Sequence, residues 1–168
     1  EGLDLTANMF FNFDGLREGG RIYARGAYTH LFKYDYFPAD GEPADAQDGE
    51  IGTADNRFTA SVGFDSDLFR LGFTGTYIDS SNEDDQFCAA FGAEPGCVSV
   101  PAEFYLDMQA SLAPAEQLEL YFGVDNLLDN DAPGIYTNTT FNVTGSDTAA
   151  DVYDIFGRRY YVGARFRF

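Results

Sequence analysis

Cys88 and Cys97 are the only cysteines in this sequence, with Gly92, Pro95 and Gly96 among the residues between them. In an oxidising compartment two thiols this close favour a disulfide, with free thiols as the alternative. Closing so short a loop stabilises by roughly 2–3 kcal/mol. Two thiolates alone do not complete a tetrahedral metal set, and no metal site is expected. Carboxylates are more plentiful: Asp40, Glu42, Asp45, Asp48 and Glu50 form one group, and Glu83, Asp84 and Asp85 a second. Asp129, Asp131, Asp147, Asp151 and Asp154 form a third. Carboxylates with backbone carbonyls can hold calcium, yet no group has the spacing of an EF-hand, so solvated outward loops are the expectation.

The remaining reactive residues point away from catalysis. His30 is the sole histidine, and it falls on the apolar register near a strand end. An aromatic-belt position suits it better than a base or ligand. No nucleophile elbow accompanies the Ser and Asp residues, so neither an enzyme nor a cofactor is expected. Phe37, Phe87, Phe91 and Tyr136 are loop aromatics that can stack on a ligand, with anchoring of their own loops as the competing role. Asn138-Thr139-Thr140 and Asn142-Val143-Thr144 match the glycosylation acceptor pattern, which is inert in a bacterial source.

The formal net charge is -18, and no Lys or Arg occurs from Tyr34 to Asn56 or from Leu71 to Gly157. Phosphate contacts need clustered cations, so a nucleic-acid partner is disfavoured. A hydrophobic fraction of 45% and an aromatic fraction of 17% disfavour an acidic disordered chain. No stretch approaches the roughly 18 apolar residues of a membrane helix, which leaves strands as the only means of crossing. The opening Glu1-Gly2-Leu3-Asp4 lacks a starting Met and a signal stretch, as expected of a mature or truncated piece.

The elements that must position these residues are read from alternation with a period of two. Leu3, Leu5, Ala7, Met9, Phe11 and Phe13 share one face of a first strand. Ile22, Ala24, Gly26, Tyr28, His30, Phe32 and Tyr34 share a face of the second, after turn residues between Asp14-Gly15 and Gly19-Gly20. A long loop over Phe37–Asp55 follows. Phe58 to Phe64 and Phe69 to Tyr77 then flank a tight turn at Asp65-Ser66-Asp67. Beyond a second loop, Ser80 to about Ala102, strands at Phe104–Leu112 and Leu118–Val124 flank a turn at Ala113-Pro114-Ala115-Glu116. A third loop, Leu127–Gly157, leads to the last strand, whose Tyr160, Val162, Ala164, Phe166 and Phe168 oppose Arg159, Tyr161, Gly163, Arg165 and Arg167. No helix is expected.

Short turns alternating with long loops, and apolar faces opposed by charged ones, are the pattern of a transmembrane β-barrel. Leu106, Leu120, Phe122 and Phe166 are expected against lipid, with Asp107, Glu119, Arg165 and Arg167 inward. A soluble sandwich or lipocalin-like barrel is the competing architecture. Seven strands are an odd count for a closed single-chain bacterial barrel, and a seven-stranded sheet leaves two edges that lipid cannot satisfy. The fold expected is an all-β antiparallel segment of a larger barrel.

Two segments narrow this further. Leu120-Tyr121-Phe122-Gly123-Val124-Asp125-Asn126-Leu127-Leu128-Asp129 resembles the "NLFD" region of the penultimate strand in TonB-dependent outer-membrane receptors, with Leu128 where Phe is commoner. Tyr153 to Gly163, with Gly157-Arg158 and Tyr161-Val162-Gly163 inside it, resembles the approach to their final strand. Glu1-Gly2-Leu3-Asp4 looks like an "EG.D" strand start in the same family. The resemblance covers the whole chain, residues 1–168, as the last seven of about twenty-two strands, without plug domain, TonB box or earlier strands.

The resemblance implies a bacterial outer-membrane location and energy-coupled uptake of a siderophore, cobalamin, haem or oligosaccharide. It implies as partners the outer-membrane lipid and lipopolysaccharide, the barrel assembly machinery, the remainder of the receptor, and TonB acting through the absent plug. Tyr160, Val162, Phe166 and Phe168 correspond to the signal read by the assembly machinery. The acidic loops would repel an anionic ligand and favour a neutral or cationic one. A small structural or porin-like barrel, or an outer-membrane lipase or protease, are the alternatives.

Overall fold

The computed structural model describes residues 1–13, 19–135 and 147–167. The expected turn at Asp14-Gly15, loop residue Tyr136, both glycosylation-type sites and Phe168 lie outside the described residues. Seven strands form one antiparallel sheet: β1 (Gly2–Phe13), β2 (Gly20–Leu31), β5 (Asn56–Asp65), β6 (Phe69–Ile78), β9 (Glu103–Ala115), β10 (Leu118–Asp125) and β11 (Arg159–Phe166). Each pairs with its predecessor in the sheet, so β1 and β11 are the two edges. Small elements occupy the loops: β3 (Asp35–Tyr36) with β4 (Asp45–Ala46), β7 (Ser81–Asn82) with β8 (Ser99–Val100), and a helix α1 (Asp85–Ala90).

The register lines up like with like. Phe11, Ile22, Phe64, Leu71, Ala110, Phe122 and Val162 form one continuous row across all seven strands. Met9, Ala24, Val62, Phe73, Met108, Val124 and Tyr160 form the next row on the same face. Cross-strand aromatic and β-branched pairs stabilise such rows, and a slip of one residue would turn every apolar side chain to the other face. Glycine fits into this register at the β10–β11 joint. Gly163 pairs with Tyr121 and Gly123 with Tyr161, and each glycine lies under the ring of the tyrosine opposite, where a methyl group would collide.

Four local expectations are corrected. β2 stops at Leu31 rather than running to Tyr34, because the amides of Phe32 and Lys33 turn to the Glu1 carbonyl at 2.9 and 3.1 Å. β9 continues through Ala113 and Pro114 to Ala115, and the turn falls at Glu116-Gln117. A register shift between Leu118 and Leu120 marks a bulge there, a place where a strand tolerates proline. The second loop contains a helix: Asp84 caps α1 by accepting from Phe87 N at 2.9 Å, with Asp85 in the first turn. The acidic loops are not uniformly solvated, since Asp45 and Glu83 are buried.

The buried core sits at the loop end, away from the apolar rows. Ile51, Ala54, Ile78, Val100, Tyr105, Ile135, Ala149 and Tyr153 pack together. Ile78 and Tyr105 belong to strands but face the polar side, since Ile78 pairs with Arg57 and Tyr105 with Thr76. All three long loops therefore fold over the polar face at one end of the sheet. Most of the apolar face stays bare: Leu5, Phe11, Phe58, Val62, Leu120 and Phe122 are exposed and Val162 is 82% exposed, whereas Val124, near the loop end of the second row, is buried.

Candidate functional site

The polar face divides into a turn end and a loop end. At the turn end, Asp65 takes Arg21 Nη2 at 2.7 Å and Arg70 Nε at 2.9 Å. Glu119 takes Arg165 Nη1 at 3.0 Å and lies 3.7 Å from Arg70 Nη1. These five side chains form a belt of alternating charge from β2 to β11. Each half-exposed pair contributes only about 0.2–1 kcal/mol, but the belt also fixes where the cations go. Two open clefts, of about 650 and 730 Å³, lie along it, and both are lined by Arg70, Glu119 and Arg165. The guanidinium of Arg25 stands over Tyr23 and Phe10, at 5.2 and 5.9 Å from the ring centres.

At the loop end the chain builds a cap. Cys88 and Cys97 are bonded, with Cα atoms 5.8 Å apart, and Cys88 is wholly buried. The first two loops are laced together by Ile51 N to Asn82 O at 3.0 Å and Asn82 N to Gly49 O at 2.9 Å. Glu50 lies at this seam, its Oε1 accepting from Asp85 N at 3.3 Å. Burial, followed by the charges of Asp84, Asp45 and Asp85, pushes its carboxyl up to about 7 against the pull of that amide. Nearby, Asn56 donates to Asp79 at 2.5 Å and accepts from Tyr28 at 2.6 Å. Asn56 with Tyr77 and Ser80 holds the Asp79 carboxyl below its ordinary value.

The two segments that resemble receptor motifs meet at the loop end of β10 and β11. Asn126 is wholly buried in a left-handed conformation, φ 52°, and its amide donates to Asp107 Oδ1 at 2.9 Å. Its side chain bridges to Asn130, donating to Asn130 O at 2.8 Å and accepting from Asn130 N at 3.0 Å. Asp129, φ 60°, then accepts from Arg158 N at 2.9 Å, just after Gly157 turns the chain at φ 64°. Asn and Gly are the residues that tolerate such angles. The motif residues thus make the joint that returns the third loop to the sheet.

Beside that loop lies a third open cleft, of about 400 Å³, between β6, β9, β10 and residues 150–159. Asp107, Asp125, Asp154, Arg159, Tyr105, Tyr153 and Phe156 line it. Only the acidic character of this region was apparent from the sequence. That Tyr105, Tyr153 and Phe156 join the carboxylates depends on the loop folding back over the polar face.

The loop aromatics singled out by type do not converge. Phe87 and Phe91 form a ring pair on α1, 4.9 Å between centres, while Phe37 stands exposed in the first loop. The clefts described above are lined by other residues. His30 shares Asn56 with Tyr28, its Nδ1 2.8 Å from Asn56 Oδ1, and packs edge-on to Phe32 at 4.5 Å. Tyr160, Val162 and Phe166 stand exposed on edge strand β11. Among the described residues no three acidic, histidine or cysteine side chains gather as a metal cage.

Fold and surfaces together define an open antiparallel sheet with a bare apolar face and a polar face capped by its own loops. No protein-family model and no curated protein matches the chain.

Proposed function

We propose that this chain is the C-terminal wall of a TonB-dependent outer-membrane receptor, a transport protein that takes up a scarce ligand. The observation that carries the reading is the inverted burial of the sheet. Most side chains of its apolar rows are left open by the chain, while the opposite face carries the charged belt and is covered by loops only at one end, as suits a wall between lipid and a hydrated lumen. A ten-residue strand is about 33 Å long and, tilted by about 40°, crosses roughly 25 Å, the height of a barrel's apolar band. Outer-membrane lipid and lipopolysaccharide then meet the apolar rows. The barrel assembly machinery reads the last strand, and TonB acts through a plug supplied by the rest of the receptor.

Strand direction favours a segment over self-assembly. With seven successive antiparallel strands, β1 and β11 run the same way. Copies of this sheet in one membrane orientation would meet at parallel joints. Antiparallel closure needs an odd number of further strands, which an upstream portion of the same barrel provides. The asparagine–aspartate joint to Gly157-Arg158 adds support, because the residues behind the family resemblance act together.

Spin labels test this directly. Labels at positions 106, 120, 122 and 166 are expected to be relaxed by oxygen dissolved in lipid, and those at 107, 119, 165 and 167 by a water-soluble nickel chelate. The reverse profile sinks the topology. Upstream coding sequence for a plug and TonB box separates the receptor from a small standalone barrel, whose signal peptide would directly precede Glu1.

A further inference from the structure

The larger cleft of the turn end, about 730 Å³, inverts the charge of the chain around it. Arg21, Arg25, Arg70 and Arg165 line it against two carboxylates, Asp65 and Glu119, in a protein whose net charge is -18. Both carboxylates are already shared. Asp65 lies between Arg21 and Arg70, and Glu119 between Arg70 and Arg165. Four positive charges against two negative leave two uncompensated. Arg25 forms no ion pair among the described residues and is held over the rings of Phe10 and Tyr23 instead. Arg21 stands over the same Phe10 ring at 5.5 Å, so two guanidinium groups converge on one ring with Asp65 on one of them alone.

The backbone beneath is a second, independent sign of a built site. Tyr23 reaches across β5 and β6, its hydroxyl oxygen 2.5 and 2.7 Å from where a β-carbon would stand at Gly63 and Gly72. Glycine at these two positions lets the ring lie down as a floor, and a side chain at either would lift it into the cleft. The volume kept open in this way is that of a small-molecule site.

We propose that this cleft binds a small organic dianion, a carboxylate- or phosphate-bearing molecule with a flat apolar body. The proposal goes beyond the receptor reading, since it assigns a site to the polar face of this chain alone. Guanidinium forks hold either oxyanion through paired N–H bonds, and the Tyr23 ring supplies a floor for the apolar part. A cation would meet four guanidinium groups, and a neutral molecule would leave the two excess charges unbalanced. The acidic loops crowd the opposite end of the same face, so the anion enters from the turn end.

Isophthalate, phenyl phosphate and isophthalamide share a benzene ring and bear two carboxylates, one phosphate and no charge. They are titrated calorimetrically into the full chain, in the detergent that extracts it from membranes, at about pH 8 where the phosphate is doubly ionised. Both dianions are expected to bind and isophthalamide is not, and the tighter dianion tells a carboxylate ligand from a phosphate one. Their affinity should fall as salt rises from about 0.05 to 0.5 M and the Debye length contracts. Arg25→Gln strands no carboxylate and should weaken binding by about tenfold. Gly72→Ala should weaken it as well, by lifting the Tyr23 hydroxyl. Adding Tyr23→Phe removes that oxygen, leaves the nearest ring carbon 3.9 Å from the new methyl group, and should restore binding.

Isophthalamide binding as tight as that of the dianions overturns the proposal. So does the absence of dianion binding, or dianion binding that either single variant leaves unchanged. The spin-label profile of the same preparation separates the two readings. A lipid-facing profile without dianion binding removes the anion site and leaves the receptor, whereas a reversed profile with dianion binding removes the receptor and leaves the site.

Discussion

Ile135 and Val162 are both aliphatic, yet the first is 2% exposed and the second 82%. Ile135 lies in the loop-end core with Ile78, Val100 and Tyr153, where three loops close over the polar side of the strands. Val162 ends a row that begins at Phe11 and crosses every strand of the sheet. At about 4.8 Å between strands, that row spans roughly 29 Å. Contiguous apolar surface on this scale is rare on a soluble monomer and marks contact with a partner or with lipid. The contrast separates two kinds of apolar surface in one chain. The loops bury theirs against one another, while the rows are largely left uncovered by the chain itself.

The largest expected effect comes from charging a row. Phe122→Arg should destabilise the folded form in a bilayer by about 2–4 kcal/mol, the cost of a cation near the midplane of a lipid-facing strand. Tryptic digestion of membrane-inserted protein checks it, with the variant cut and the parent resistant. If the face met water, the same change would be neutral, and the contrast with the loop core would collapse.

Removing the disulfide probes the other region. Cys88→Ser with Cys97→Ser should cost the loop cap roughly 2–3 kcal/mol. Hydrogen exchange should accelerate over α1 and β8 while the strand amides keep their protection. Uniform acceleration across the sheet would mean that cap and sheet form one cooperative unit.

A smaller effect is expected at the β10–β11 joint. Gly163→Ala places a methyl group under the Tyr121 ring, and overpacking of this kind costs about 1–3 kcal/mol. Adding Tyr121→Ser should recover most of the loss, a coupling readable from a double-mutant cycle in urea. Without recovery, the ring is not what the glycine accommodates.

Much of the sheet was legible because strand side chains alternate with a period that sequence displays directly. The row through Ile22, Phe64, Leu71 and Phe122 needs only that period and short turns to specify it. The bulge at Pro114 was read as a turn because proline and alanine punctuate the chain, whereas the partner strand accommodates one extra residue. The loop-end core was not legible. Ile78 sits on the polar register, and its packing depends on Ile135 and Tyr153, more than fifty residues away. The third cleft stayed hidden for the same reason. Asp107 and Asp154 could be named as acidic, but bringing them together with Tyr105 takes a loop fold that no local pattern encodes.

The smallest effect sharpens the comparison most, because it belongs to the cap alone. Burial lifts the Glu50 carboxyl from 4.5 in the unfolded chain to about 7 in the folded one. Between these values the folded cap holds a proton that the unfolded chain has released. Its stability must therefore fall as pH rises through that window, and level off above it when both states are ionised. Glu50→Gln removes the titration and should flatten the slope, leaving the cap at neutral pH as stable as the parent is in acid. Hydrogen exchange at Asn82 and Ile51, the two amides that lace the loops together, reads this locally at successive pH values once intrinsic exchange rates are divided out. The apolar face of the sheet carries no carboxylate or histidine on β5 or β6, so amides of Val62 and Phe73 should show no such slope. A matching slope at both places would mean that the sheet opens whenever the cap does, and the two regions would then share a single stability.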